Sequence, residues 1–247
     1  MVLAETAIDL QKALDGLYDY CNKWALNVNL DKTKIIVFAP GRRRVFKNFD
    51  LPFKFGDSKI DIVDDYVYLG TKFNFNGKFE KAKAKQALQA KKASFSLISR
   101  TRQLNLTFEV SIELIEKLIM PILLYGSEIW GYEEPIQLQI TLNNVMRRLF
   151  RLHKTTPICM INGESGLKEI SEYIDNRIIN FWSNIATGAE NKISSILYKW
   201  VKILHERDIR KSVWIEKVKA TLANMDMSYI FYDITSDQKP WLKMILR

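Results

Sequence analysis

The sequence predicts an α+β chain that is mostly α-helical, with its strands gathered in one early stretch. Three observations carry this. Near the start and through most of the second half, apolar residues recur every three and four positions, the period of an amphipathic helix. Between Leu26 and Asn76 the pattern changes to β-branched and alternating runs, among them Ile35-Ile36-Val37-Phe38 and Tyr66-Val67-Tyr68-Leu69. From Phe79 to Leu104 there is neither Gly nor Pro and alanine is abundant, which reads as one long helix.

Composition narrows the classes. A chain of 247 residues that is 47% hydrophobic and 26% charged has enough apolar mass for one large domain or two small ones. Only 10 Gly and 6 Pro argue against a long disordered tract. Cys21 and Cys159 are too few for a disulfide framework, and neither lies in a metal-binding spacing. The first ten residues carry acids and no basic cluster, so no signal peptide is expected. The apolar run Leu118 to Tyr125 is far below the roughly 20 residues of a membrane span. The expectation is a reduced, intracellular protein with no membrane partner. A net charge of +9 suits an anionic partner.

In chain order, Thr6 is a good N-cap. Leu10, Leu14, Leu17, Cys21 and Trp24 then form a helical apolar stripe that ends near Leu26, where Asn27 and Asn29 bring turn chemistry. On that stripe Cys21 is a core thiol. Ile35 to Phe38 reads as a strand covered on both faces, closed by Pro40-Gly41 and a basic loop, Arg42-Arg43-Arg44. Further short strands are expected at Phe53 to Phe55 and Lys59 to Val63. A hairpin pairs Tyr66–Leu69 with Lys72–Phe75 across Gly70-Thr71.

The long helix from Phe79 to Leu104 has a less charged side marked by Phe79, Ala82, Gln86, Ala90, Ala93 and Leu97. Its charge is lopsided: from Lys72 to Arg102 there are nine lysines and arginines against Glu80 alone. A soluble helix face usually mixes signs, whereas cations gathered along one helix are the footprint of a phosphate backbone. The plainer reading is a solvated lysine face.

A second helix opens at Thr107, with Val110, Leu114, Leu118 and Ile122 on one side and Ile115 and Ile119 widening the stripe, and Pro121 kinks or joins it. Helices follow at Ile136 to Leu152, Leu167 to Ile185, Ile193 to Leu204 and Val213 to Met225, with a loop from Pro157 to Gly166. Trp182, Trp200, Trp214 and Trp241 read as packing anchors. His153 and His205 read as lone solvated or capping histidines.

Two phrases carry a family resemblance. Leu26 to Arg44, LNVNLDKTKIIVFAPGRRR, is followed by Tyr68-Leu69-Gly70, and Met120 to Gly131 reads MPILLYGSEIWG. Their order resembles the palm end and thumb of the reverse transcriptases of non-LTR, LINE-type retrotransposons of the Jockey or RTE kind. The resemblance spans Met1 to about Gly131. It implies a palm portion over residues 1–76 with a primer-grip-like hairpin, a thumb-like region over 77–134 and a C-terminal helical region over 135–247.

The family's chemistry uses Mg²⁺ held by aspartates, two of them in a Tyr-x-Asp-Asp hairpin. Met1 to Thr6 resembles the strand just after that hairpin, so the resemblance places the metal ligands before Met1, and this chain alone is expected to be inactive and to hold no cofactor. The strand Ile35–Phe38 and the helix before it would then lack the sheet they cover, leaving the first forty-odd residues loosely ordered. Asp64-Asp65 lacks the preceding Tyr-x and a third acid and reads as a pair of turn carboxylates.

What the resemblance leaves is substrate handling. Lys32 matches the lysine of a Lys-Thr motif near the departing pyrophosphate. Tyr68, Leu69 and Gly70 match the primer grip. Lys78, Lys81, Lys85, Lys91, Lys92, Arg100 and Arg102 match the first thumb helix. The implied partner is RNA or an RNA–DNA template–primer, with missing upstream polymerase domains as a further one. The plain counterparts are a surface lysine, a hairpin core and a solvated face. A helical interaction protein with no nucleic-acid role stays open beside these readings.

Overall fold

Thr6 starts the first helix as its composition requires. Its hydroxyl oxygen accepts from the Asp9 amide at 3.1 Å, and helix α1 runs Ala7–Lys23. The structure is a computed structural model describing residues 1–39 and 53–234. The expected Arg42–Arg44 loop and the Trp241 anchor lie outside the described residues. Two units form, Met1–Ala82 and Lys83–Arg247. The architecture is α+β and mostly helical.

In the first unit, α1 packs on a short hairpin, β1 (Lys54–Phe55) and β2 (Ser58–Lys59), paired antiparallel. Leu14 and Cys21 are buried with Ile35, Phe53, Phe55 and Ile60, so the thiol is a core group. Gln11 acts as a substitute strand. Its amide donates to the Lys54 carbonyl at 2.9 Å and accepts the Lys54 N–H at 3.0 Å. The α1 stripe therefore finds its cover within the unit, which corrects the expectation of an uncovered helix. Trp24 departs from the stripe and is 61% exposed.

Gly56, between β1 and β2, has φ +60°. A Cβ there would come within 2.5 Å of the Tyr18 ring, which meets Phe55 edge-on. Only glycine satisfies both the backbone and the contact.

The expected strand Ile35–Phe38 does not form. Ile35 makes a single parallel bridge to Ile62, through its own N–H to the Asp61 carbonyl and the Val63 N–H to its carbonyl. Ala39 N–H reaches the Phe75 carbonyl, and Phe38 is exposed. The partner segment between β2 and the next hairpin is too short to carry a longer ladder.

That next hairpin pairs β3 (Asp65–Tyr68) with β4 (Thr71–Asn74), Tyr68 opposite Thr71. Its turn is Leu69-Gly70, one residue earlier than expected. A two-residue turn of this hand needs positive φ at both positions. Gly70 takes φ +81° and Leu69 takes +47°, while β-branched Thr71 is kept in the strand.

Helix α2 covers Glu80–Gln103, as the composition predicts. Its inward side holds Ala82, Gln86, Ala90, Ser94, Leu97 and Thr101. Thr107 caps α3 (Phe108–Leu114). A π-helical turn, Ile115–Ile119, then leads into α4 (Met120–Leu123). The wide turn sits just ahead of Pro121, whose ring and missing N–H an unbroken α-helix cannot accept. It also shifts the buried face. Ile115 and Ile119 turn inward as expected, joined by Ser111, Met120, Leu123 and Leu124, while the expected Val110 and Leu118 are exposed.

Helices α5 (Ser127–Trp130), α6 (Ile136–Leu149), α7 (Ile158–Ser165), α8 (Ile170–Ala186), α9 (Ile193–Glu206) and α10 (Val213–Asn224) complete the second unit, with a 3₁₀ turn at Ser228–Phe231. The expected loop from Pro157 to Gly166 is α7, entered at Pro157 and stopped by Gly166 at φ +68°.

The core centres on α8. Ile170, Ile174, Ile178, Ile179 and Trp182 are fully enclosed. Gly131 lies against Ile174, where a Cβ would collide with Ile174 Cγ2 and the Ser127 carbonyl, so α5 and α8 meet at the backbone of the Tyr-Gly-x-Glu-x-Trp-Gly phrase. In that phrase Glu128 pairs with Arg177 at 3.7 Å, and its carbonyl accepts Trp214 Nε1–H.

Two residues differ from expectation, the anchor Trp200 and the histidine His205, read as solvated or capping. Trp200 is 58% exposed, because α9 turns its other side inward. His205 is buried, and its Nδ1 accepts the Ser212 N–H at 3.1 Å. Nε2 must then carry the ring proton, facing Glu216 Oε1 at 2.9 Å, with Lys219 Nζ nearby. Glu216 and Lys219 lie too far along the chain for sequence spacing to pair them with His205.

Candidate nucleic-acid interface

The residues singled out fall on two surfaces, one in each unit. In the first unit, the Lys-Thr turn is built by Asn29. Its side-chain oxygen accepts the Lys32 N–H at 3.0 Å, and its carbonyl accepts the Thr33 hydroxyl at 2.8 Å, an Asx-type turn. The Lys32 side chain is exposed. The Tyr66 hydroxyl donates to the Lys32 carbonyl, so the turn is fastened to the hairpin that carries Tyr68, Leu69 and Gly70. That hairpin's tip is open, with Leu69 74% exposed and Tyr68 at the margin of exposure. An apolar side chain held outward in a left-handed conformation is a local cost, and such costs gather where contact with a partner is made.

The base of the hairpin is electrostatic. Asp65 accepts from Lys81 at 2.6 Å and lies 2.9 Å from Lys72. The hydrogen bonds of Lys81 and then Lys72 hold its carboxyl below the usual carboxylate range. A carboxylate engaged by two lysines is a poor start for a divalent-metal site. Among the described residues no group of three His, Cys, Asp or Glu is arranged around one point. Asp65 is a tether, and it stands in strand β3 where a turn carboxylate was expected.

In the second unit, the outward side of α2 runs Lys85, Leu88, Lys92, Phe95, Ser99 and Arg102 at three- and four-residue steps, with Lys91 and Arg100 on its flanks. Lys91, Lys92 and Arg100 are exposed and make no ion pair with a described residue. Lys83 differs from them: only 11% exposed, it pairs with Glu133 at 2.7 Å. Arg102 donates to the Arg148 carbonyl at 3.0 Å, closing the end of α6. Lys78 is exposed just ahead of the helix, in the first unit.

Two members of this surface were not singled out from the sequence. Phe95 is 53% exposed amid the cations, and the Arg148 guanidinium lies 5.4 Å from its ring centroid. The signal for Phe95 was its place at i+3 from Lys92 and i+4 from Lys91, on the charged side of the helix. Nothing in the sequence brings Arg148 to it. A charged helix that carries a half-exposed aromatic ring can hold phosphates and bases together.

This chain is similar to a transposon-derived protein. The relative, from Caenorhabditis elegans and so described in its name, is 22% identical over 256 residues, covering 96% of this chain and 88% of the worm protein. No family model and no solved structure matches the chain. No described helix is long and apolar enough to cross a membrane.

Proposed function

We propose that this chain is the palm-end and thumb portion of a LINE-type reverse transcriptase lineage, and that it binds an RNA–DNA template–primer without catalysing synthesis itself. The observation that carries the reading is the outward face of α2, where exposed cations, among them Lys91, Lys92 and Arg100, surround an exposed phenyl ring. The transposon-derived relative supports the ancestry. The fastened Lys-Thr turn and the strained tip at Leu69 support a primer-end contact.

In this reading α2 tracks phosphates, positioning the duplex without reading its sequence. Tyr68 and Leu69 touch the primer end, and Lys32 offers a charge beside it. Metal-bound carboxylates from polymerase domains outside this chain would supply the chemistry.

The test is a binding titration of the purified chain against a fluorescent RNA–DNA hybrid at 50 and 200 mM salt. Affinity should fall by tenfold or more, since each neutralised phosphate releases counterions. An affinity insensitive to salt, or no binding at the lower concentration, overturns the proposal. A second reading, a helical interaction protein, is favoured by the apolar outer side of α9.

A further inference from the structure

Helix α9 is inverted. Ile193, Ile196, Leu197, Trp200 and Ile203 form one continuous stripe at three- and four-residue steps, and all five face outward, Ile193 at 75% exposure. The buried side carries polar groups, Ser195, Tyr198 and His205. Two hydrogen bonds and one close packing contact hold this orientation. The Tyr198 hydroxyl accepts Trp182 Nε1–H at 2.8 Å, Lys202 Nζ donates to the Phe231 carbonyl, and Ser195 Oγ fills the space beside Gly188. Rolling the helix to hide its apolar side would break all of them and leave the Trp182 donor unsatisfied in the core.

We propose that this outer side of α9 is a self-association surface on which a second copy of the chain packs antiparallel about a two-fold axis. The stripe is self-complementary in that arrangement. Ile193 comes opposite Ile203 of the other copy, and Ile196 opposite Trp200, both twice by symmetry.

The charges on its flank agree. Lys192, which makes no ion pair with a described residue, comes beside Glu206, which Lys202 holds only at 3.9 Å. Lys199, midway along that flank, is already paired with Glu190 at 2.9 Å. The five side chains carry on the order of 500 Å² of accessible surface per copy, and the polar flanks bring this towards the roughly 800 Å² per partner of a stable interface. A soluble monomer rarely leaves a continuous apolar face of this extent in water.

Sedimentation velocity of the full chain over a dilution series tests it. The wild type should sediment at twice the monomer mass and dissociate on dilution. Trp200→Glu should weaken the dimer at least tenfold with its far-UV circular dichroism unchanged, since the side chain is exposed. Lys192→Glu and Glu206→Lys should each weaken it, and the double variant should recover it, a pattern that survives if Trp200→Glu folds poorly. A wild type monomeric up to about 100 μM, a dimer indifferent to Trp200→Glu, or charge reversals without mutual rescue overturns the proposal.

Discussion

Lys81 Nζ lies 2.6 Å from Asp65 Oδ2, tying the first turn of the basic helix to the first residue of β3. Lys72, across the hairpin, shares the same carboxylate at 2.9 Å. One acid thus fixes two of the cations on the charge-rich segment, and Lys81 acts as a structural lysine before it acts on any phosphate. The two ammonium groups favour the ionised carboxyl, so its folded-state titration lies below the ordinary value of 3.8. Stability from this group is fully present above that value and is lost as pH falls through the lower folded-state one. Asp65→Asn should therefore lower the melting temperature at pH 6, and the gap to wild type should close below about pH 4. A carboxyl-carbon NMR titration of Asp65 should give a midpoint under 3.8.

Gly56→Ala should cost about 2 kcal/mol, because the new methyl meets the Tyr18 ring in a backbone conformation that alanine adopts poorly. The measurement is the urea midpoint of the full chain. Tyr18→Ala in the same background should recover part of the loss, since it removes the collision and leaves the backbone strain.

Leu69→Asn separates stability from binding. Asparagine tolerates positive φ, so the turn should be stabilised by about 0.5 kcal/mol. If the tip contacts a primer end, affinity for the hybrid should fall several-fold in the same variant. A rise in melting temperature with unchanged affinity would assign Leu69 a place in the turn alone.

On α2, Lys92→Gln and Phe95→Ala should act differently. Losing the lysine should reduce the slope of log affinity against log salt by about 1. Losing the ring should weaken binding by about 1–3 kcal/mol and leave that slope unchanged, because stacking releases no counterions. Titration at four salt concentrations distinguishes them.

Local chemistry was legible wherever one element's own residues decided it. Thr6 and Thr107 cap helices where their hydroxyls imply it, Cys21 is in the core, and α2 runs almost from Phe79 to Leu104 with Ala82, Gln86, Ala90 and Leu97 inward. The hairpin at Tyr66 was also legible. Its register was not, because the choice between Leu69-Gly70 and Gly70-Thr71 rests on a left-handed leucine that composition does not announce.

The sequence by itself determined the helical periods, the placement of the strands in one early stretch, and the concentration of positive charge before Arg102. These follow from spacing and from each residue's own chemistry. Only the tertiary structure decided which face of a helix is inside. On α9 the more apolar side lies outward, because Trp182 and Phe231 hydrogen-bond Tyr198 and Lys202 of its other side, where Ser195 packs beside Gly188. Likewise, only folding sets Arg148 over Phe95, Lys81 on Asp65 and Glu216 against His205. Such pairs join residues from different elements, and amphipathic period shows that a helix has two faces without showing what each face meets.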